Sequence, residues 1–325
     1  MSAKRPILVF AEPFDDSAVA RACEAGDAVL LTNPTGSELA AAVGSCDALL
    51  IRSSTKITRE LLNPASRLKV IGRAGVGLEN VDLDAARERG ITVVYTPAAS
   101  TDAVADLTIG LMLDALRRIT SSDAAVRRGQ FEGAREAALS RELSGLTLGV
   151  IGLGRIGRAV GRRCRHGFNM PVIYNDIVDP GWLDFAATPV EKSNLYRDAD
   201  IVSLHVPLTP ETKHLINGQT LGLFKKSAIL INTARGAAVD TLALDAALRE
   251  GQLAGAGLDV TDPEPLPPGH PLLSAPNVVF TPHVGARTHA AQQRMNEVIE
   301  DVIRVLQGTA PQFPAWTAPN DSATK

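Results

Sequence analysis

Short apolar runs alternate with amphipathic stretches along most of the chain. In the first hundred residues these runs are Ile7-Leu-Val-Phe10, Ala28-Val-Leu-Leu31, Ala48-Leu-Leu-Ile51, Leu68-Lys-Val-Ile71 and Ile91-Thr-Val-Val94. Gly26, Gly44 and Gly90 punctuate them, as glycines do where a helix gives way to a strand. Such runs with helices between them predict a small parallel sheet covered on both faces. From residue 147 onward further runs follow at 147–151, 172–175, 200–204, 227–232, 254–260 and 278–281. Their crossover-length separations fit a second doubly wound α/β sheet.

Between the two sets, Ser100-Thr-Asp-Ala103 opens a long helix. Ser100 or Thr101 can cap it, and Asp102 complements the helix dipole in the first turn. Leu107, Leu111, Leu113, Leu116 and Ile119 make it apolar on more than one face. That excess predicts burial against something beyond its own domain, such as the partner subunit of a homodimer. Residues 120–146 read as a helical extension and a surface loop. Asp240–Glu250 reads as a helix stopped by Gly251. A final helix over about 287–307 carries Met295, Val298, Ile299, Val302, Val305 and Leu306, and a polar tail follows Pro311. If this last helix returns to the first sheet, the first domain is discontinuous, 1–98 plus 287–325, around a domain of 99–286. Two chain crossings and a cleft between the domains would follow.

Composition narrows the class. The 325 residues suffice for two cores, and 45% hydrophobic with 21% charged residues is an ordinary globular mix. A net charge of −3 favours neither nucleic acid nor an anionic membrane. Cys23, Cys46 and Cys164 lie far apart, so no metal or disulfide framework is expected, and a reducing cytoplasm fits. The apolar run near the N-terminus is cut by Glu12 and Pro13, which makes it a poor signal peptide.

The most informative stretch is Thr147-Leu-Gly-Val-Ile-Gly-Leu-Gly-Arg-Ile-Gly157. A buried strand runs into Gly152-x-Gly154-x-x-Gly157 and then into a helix. Gly152 permits the tight turn, Gly154 lets a pyrophosphate approach the backbone, and Gly157 lets helix and strand pack closely. The helix N-terminus adds free N–H groups and a positive dipole end. A second strand, Val172-Ile-Tyr-Asn-Asp176, ends in an acid 19 residues after Gly157, suited to an adenine ribose. Ile177 and Val178 bring no cation for a 2′-phosphate, so NAD is the expected cofactor.

Three residues at later strand ends complete a reactive set. Arg235 follows Ile229-Leu-Ile-Asn-Thr-Ala, Glu264 follows Gly257-Leu-Asp-Val260, and His283 follows Val278-Val-Phe-Thr-Pro282. A guanidinium can hold a carboxylate bidentately and still reach a neighbouring carbonyl. A histidine can give or take a hydroxyl proton, and a carboxylate on its far nitrogen fixes the tautomer. Singly, each has a bland structural use, as an ion-pair partner, a loop acid or a buried ring. Jointly, beside a dinucleotide turn, they suit reduction of a 2-oxo acid by a hydride carrier. In the first domain, Ile51-Arg-Ser-Ser-Thr-Lys56 and Gly72-Arg-Ala-Gly-Val-Gly77 follow strand ends, where ligands bind.

Nearly the whole chain resembles the D-isomer-specific 2-hydroxyacid dehydrogenases. The resemblance rests on Gly72-Arg-Ala-Gly-Val-Gly77 with Asn80-Val-Asp82, the glycine turn, and Ser203-Leu-His-Val-Pro-Leu-Thr-Pro-Glu-Thr212. It continues through Ile231-Asn-Thr-Ala-Arg-Gly236, Gly257-Leu-Asp-Val-Thr-Asp-Pro-Glu-Pro265 and Thr281-Pro-His-Val-Gly-Ala286. It implies two doubly wound parallel-sheet domains, one Rossmann-type for the cofactor and a smaller flavodoxin-like one for the substrate. It implies Arg235, Glu264 and His283 as the catalytic triad and Asp259 near the nicotinamide. Arg155, Ile156, Asp176, Val206, Pro207, Thr212, Thr233, Ala234 and Gly285 would join the glycines around NAD. Gly75 and Val76 would offer N–H groups to the substrate carboxylate. Arg52, Ser53 and Arg73 would face its distal end, which suits phosphohydroxypyruvate or 3-phosphoglycerate. Arg287 stands where a small serine is usual, and Asp106 where a glutamate is usual. The resemblance includes no regulatory C-terminal domain. Hydroxypyruvate or glyoxylate reduction is the alternative activity, and a non-catalytic NAD(H)-sensing regulator the alternative class. Formate or phosphite oxidation ranks lower, because Val76 brings no extra cation to so small an anion.

Overall fold

The chain divides into two compact units, Met1–Ser100 with Thr288–Lys325, and Thr101–Arg287. The computed structural model describes residues 4–316; the end of the expected 287–325 segment lies outside the described residues. Among the described residues, no helix is long and apolar enough to cross a membrane.

The first unit runs β1 (Ile7–Phe10), α1 (Asp16–Ala25), β2 (Asp27–Leu30), α2 (Gly36–Ser45), β3 (Ala48–Ile51), α3 (Arg59–Leu62), β4 (Val70–Arg73), α4 (Leu83–Glu88) and β5 (Thr92–Tyr95). Its strands form one parallel sheet in the order β2-β1-β3-β4-β5, a flavodoxin-like arrangement. Side chains capping α1, α2, α3 and α4 (Asp15, Thr35, Thr58 and Asp82) set their starts, and Thr35 closes a capping box with Glu38.

β4 lies two residues later than the apolar pattern predicts, because Gly72 and Arg73 continue the strand. Gly72 is needed there, since a Cβ would stand 2.5 Å from Val302 Cγ2. The expected terminal helix is two, α12 (His289–Asn296) and α13 (Val298–Leu306), broken at Glu297, where ψ rises to −11°. α13 packs on β4 and β5 and against α1. The stretch after Pro311 is also more than a polar tail. Asp301 is buried and accepts the Gln312 and Phe313 N–H groups at 2.7 Å each. The next residues pair with the outer edge of β5, with Ala315 N–H to Val93 C=O at 2.8 Å.

The second unit begins with α5 (Thr101–Arg117), α6 (Ile119–Arg127) and α7 (Phe131–Ala137). It continues with β6 (Leu148–Ile151), α8 (Arg155–Gly167), β7 (Val172–Asn175), β8 (Thr188–Pro189), α9 (Lys192–Asp198), β9 (Ile201–Leu204) and α10 (Gly218–Leu221). β10 (Ile229–Asn232), α11 (Thr241–Arg249), β11 (Gly255–Leu258) and β12 (Val278–Phe280) complete it. The all-parallel sheet has seven strands in the order β12-β11-β10-β9-β6-β7-β8. β8 is the strand the pattern does not reveal; two exposed residues are too short for any periodicity.

Alternate residues feed two cores. Ile151, Val202, Leu204 and Leu230 pack on one face of the sheet, and Leu148, Val150, Ile201, Ile229 and Ile231 on the other. α5 belongs to the second core. It packs on β10 and β11 and along α8, approaching the sheet over Gly257, where a Cβ would stand 2.9 Å from Leu111 Cβ. Most of its apolar residues are therefore covered within the unit, while Leu107, Ile109 and Leu113 remain partly exposed and Ile119 beyond its end is exposed.

Candidate active site

The strand order reverses at β6, where β7 lies on one side and β9 on the other. The carboxyl ends of strands at such a reversal are the usual ligand position in open α/β sheets. Gly152 adopts φ +88°, and a Cβ on it would stand 2.6 Å from His205 O. At Gly157 a Cβ would run into Gly152 O. At Gly154 the space is open for 4 Å around the Cβ position, directly before α8, whose N-cap has no side-chain partner. The result is a cradle that a Cβ would fill, lined by helix N–H groups, and it fits a pyrophosphate.

Asp176 stands at the end of β7 beside this turn. Its Oδ2 accepts the Leu153 N–H at 2.6 Å and its Oδ1 the Val178 N–H at 3.0 Å. The carboxylate thus ties the glycine turn to the next loop. Arg155 and Ile156 start α8. Val206 and Pro207 follow β9; Thr212 Oγ1 donates to Pro207 O at 2.6 Å and accepts the Thr209 N–H at 2.7 Å, closing that loop.

Arg235, Glu264 and His283 sit on the loops after β10, β11 and β12, neighbours in the sheet. His283 Nδ1 lies 2.7 Å from Glu264 Oε1. The side chains are 52% and 43% exposed, so both are reachable from solvent. His283 adopts φ +52°, unusual for a residue with a Cβ, and its surroundings fix that turn. Its N–H reaches Asp259 O at 2.8 Å. The buried Asp259 carboxylate accepts from Thr281 Oγ1 at 2.6 Å and from the N–H groups of Val284 and Gly285 at 2.9 Å each. Three donors satisfy a carboxylate that is costly to bury alone. Asp259 is therefore the socket of the His283 turn, and a Cβ on Gly285 would stand 3.0 Å from its Oδ2.

Arg235 occupies the preceding loop. Its Nη1 donates to Ala234 O at 2.7 Å, and a Cβ on the next residue, Gly236, would collide with Thr261 O. That close approach presses the Arg235 loop onto the segment leading to Glu264. Thr241 Oγ1, donating to Asp262 O at 2.9 Å, adds a second tie. Thr233 is held by Thr108, their hydroxyls 2.9 Å apart.

In the first unit the sequence expectations need correction. The Gly75 N–H, expected to face a substrate carboxylate, is engaged within the unit, donating to Thr96 Oγ1 at 2.9 Å. Arg73 ends β4, and its guanidinium folds over Gly75 to donate to Ala74 O at 3.2 Å. Arg52 is held by Pro13 O at 2.8 Å, Gln292 Oε1 at 2.6 Å and Asn296 Oδ1 at 2.5 Å, with Phe14 beneath it. Ser53 is exposed beside it. The N–H groups of Arg52, Ser54 and Thr55 point to the Glu12 carboxylate at 2.8–3.3 Å. Glu12 thus fills an anion-accepting loop, a partner that sequence reading treats only as a signal-peptide breaker. Sequence reading also misses Asn232 and Thr281, although an Asn two residues before a turn N–H is itself a turn signal.

A profile described as the NAD-binding domain of D-isomer-specific 2-hydroxyacid dehydrogenases matches residues 109–285. The chain is 43% identical over 305 residues to D-3-phosphoglycerate dehydrogenase of Methanocaldococcus jannaschii, covering 93% of this chain and 57% of that one. It therefore spans little more than half of that relative. It is 44% identical over 285 residues to glyoxylate reductase of Thermofilum pendens, covering 86% and 84%. A crystal structure of a Thermus thermophilus protein superposes with a TM-score of 0.89 at 42% identity, covering 95% of this chain and all of that one. The chain belongs to the D-isomer-specific 2-hydroxyacid dehydrogenase family, and residues 109–285 are its NAD-binding domain.

Proposed function

We propose that the protein interconverts a 2-oxo acid and its D-2-hydroxyacid with NAD(H), using Arg235, Glu264 and His283. The observation that carries this reading is the 2.7 Å His283–Glu264 pair, held by Asp259 at the carboxyl ends of β11 and β12. When bound, NADH supplies the hydride that reduces C2 of the substrate. Arg235 holds the substrate carboxylate and leaves a donor for the carbonyl oxygen. With Nδ1–H given to Glu264, Nε2 of His283 is the nitrogen that delivers a proton to that oxygen. The carbonyl gains a hydride and a proton, and the hydroxyl results. In oxidation the same nitrogen takes the proton back.

For the substrate, phosphohydroxypyruvate reduction or 3-phosphoglycerate oxidation is the first reading, supported by the M. jannaschii relative and by the positions of Arg52 and Arg73 at the ends of β3 and β4. Hydroxypyruvate or glyoxylate is the second, favoured by the fixed ties of Arg52 to Pro13, Gln292 and Asn296. Steady-state assays with NADH and phosphohydroxypyruvate, hydroxypyruvate or glyoxylate side by side test both. Higher kcat/KM for phosphohydroxypyruvate, lost selectively in Arg52→Ala, supports the first reading. Higher kcat/KM for hydroxypyruvate, or an equal loss on both acids in Arg52→Ala, overturns it. A protein that binds NADH and turns over none of them would be the sensor instead.

A further inference from the structure

We infer that Asn232 is the positioning residue of Arg235; the inference rests on the reading of Arg235 as the carboxylate-binding group. Asn232 is the last residue of β10 and is fully buried. Its backbone is paired with both neighbouring strands, opposite Leu204 and Leu258, and its C=O accepts the Asp259 N–H at 2.9 Å. Its side chain spans the turn that follows. Oδ1 accepts the Ala234 N–H at 3.0 Å, and Nδ2 donates to Arg235 O at 2.9 Å.

These two bonds hold peptide groups on either side of the Ala234–Arg235 linkage, so the Arg235 backbone cannot rotate independently of the sheet. The extended conformation of Arg235 (φ −141°, ψ 139°) is thereby fixed at its start and end. Beyond it, Gly236 is pressed against Thr261 O. A helix or strand could be ended by many residues, but this turn needs one acceptor and one donor on a single short side chain. Asparagine supplies both, aspartate only the acceptor, and serine is too short to reach the second carbonyl. The guanidinium must meet a carboxylate in a fixed bidentate geometry, and about 1 Å of misplacement costs up to roughly 100-fold.

The test is Asn232→Asp, with Asn232→Ser as a second variant should the buried acid prevent folding. Measured are KM and kcat for the preferred 2-oxo acid, inhibition by oxamate as an unreactive carboxylate analogue, and NADH affinity by fluorescence titration. The expected result is a KM and an oxamate inhibition constant raised about 10- to 100-fold with NADH affinity within about twofold of wild type. For Asn232→Asp the defect should also narrow at acid pH, where a protonated carboxyl can again donate to Arg235 O. The inference is overturned if KM and oxamate inhibition stay at wild-type values, or if NADH affinity falls in step with them, as a general loosening of the unit would produce. Wild type inactive toward every acid would instead sink the reading of Arg235, and this inference with it.

Discussion

Cofactor choice can be predicted from the side chain that ends β7. On the reading that Asp176 meets the adenine ribose, its carboxylate takes a hydroxyl, and Ile177 and Val178, both exposed, put no cation beside it. A 2′-phosphate would bring a second negative charge to about 4 Å, where like charges repel by roughly 1 kcal/mol in water and about 4 at a protein surface. Asp176 is only partly exposed, so the expected preference for NADH over NADPH lies between about fivefold and about 1,000-fold in kcat/KM. The same carboxylate has a second task, because Leu153 and Val178 donate to it. Hydrogen bonds to a charged group are worth roughly 1.5–3 kcal/mol each, less where water competes. Asp176→Ala therefore removes repulsion toward NADPH but also frees the glycine turn, and should weaken both cofactors. Asp176→Asn keeps an acceptor for Leu153 and removes the charge, so it should narrow the preference with less loss for NADH. Initial rates with both reduced cofactors across the three proteins decide the matter. Equal kcat/KM for NADH and NADPH in wild type would refute the electrostatic argument; equal NADH affinity in Asp176→Ala and Asp176→Asn would refute the scaffolding one.

His283→Ala should lower kcat by roughly 10²–10⁴ while the protein stays folded, and Arg235→Ala should impair both KM and kcat; near-wild-type turnover in either would unseat the assignment. A homodimer is expected through the outer side of α5 and the helices after it. Ile119, Val126, Phe131 and Leu139 are exposed there, and a cavity of about 730 Å³ opens between α5 and β12. A monomer mass by light scattering at micromolar concentration would contradict this. Desolvation lowers the His205 imidazole from 6.5 to about 3. Between those values the unfolded chain binds a proton that the folded one does not, so stability should fall as pH drops from about 6.5 towards 3. His205→Gln should flatten that slope in thermal melts, and an unchanged slope would count against the assignment.

Much of this was legible from the chain because parallel strands buried on both faces read as uninterrupted apolar runs, and most of the strands announce themselves so. What stayed hidden has a local cause in each case. β8 is two residues long, Gly72 disguises the end of β4, and the pairing of 313–315 with β5 depends on Asp301, distant in sequence. The glycine turn could be read because each glycine answers a steric demand that a sequence pattern records. The occupancy of donors could not. Nothing in Gly72-Arg-Ala-Gly-Val-Gly77 says that Thr96 takes the Gly75 N–H, and nothing in Arg52-Ser-Ser-Thr-Lys56 says that Glu12 takes three.

That difference bears on how the reactive loops are built. β10, β11 and β12 are short, and each ends one or a few residues before a group that chemistry requires. A strand fixes its own residues to within the ladder spacing, but the loop beyond it has no ladder to hold it. Here a polar side chain at or near a strand end extends the order outward. Asn232 binds the turn of Arg235, and Asp259 binds the turn of His283. The two are joined through the Asp259 N–H on Asn232 O. Buried polar groups of this kind add little net stability once their own desolvation is counted. Their effect is to leave one conformation for each loop, which catalysis by positioning needs more than it needs stability. A hydrophobic residue at 232 or 259 would strand the N–H groups of Ala234, or of Val284 and Gly285, and remove the bonds that define each loop.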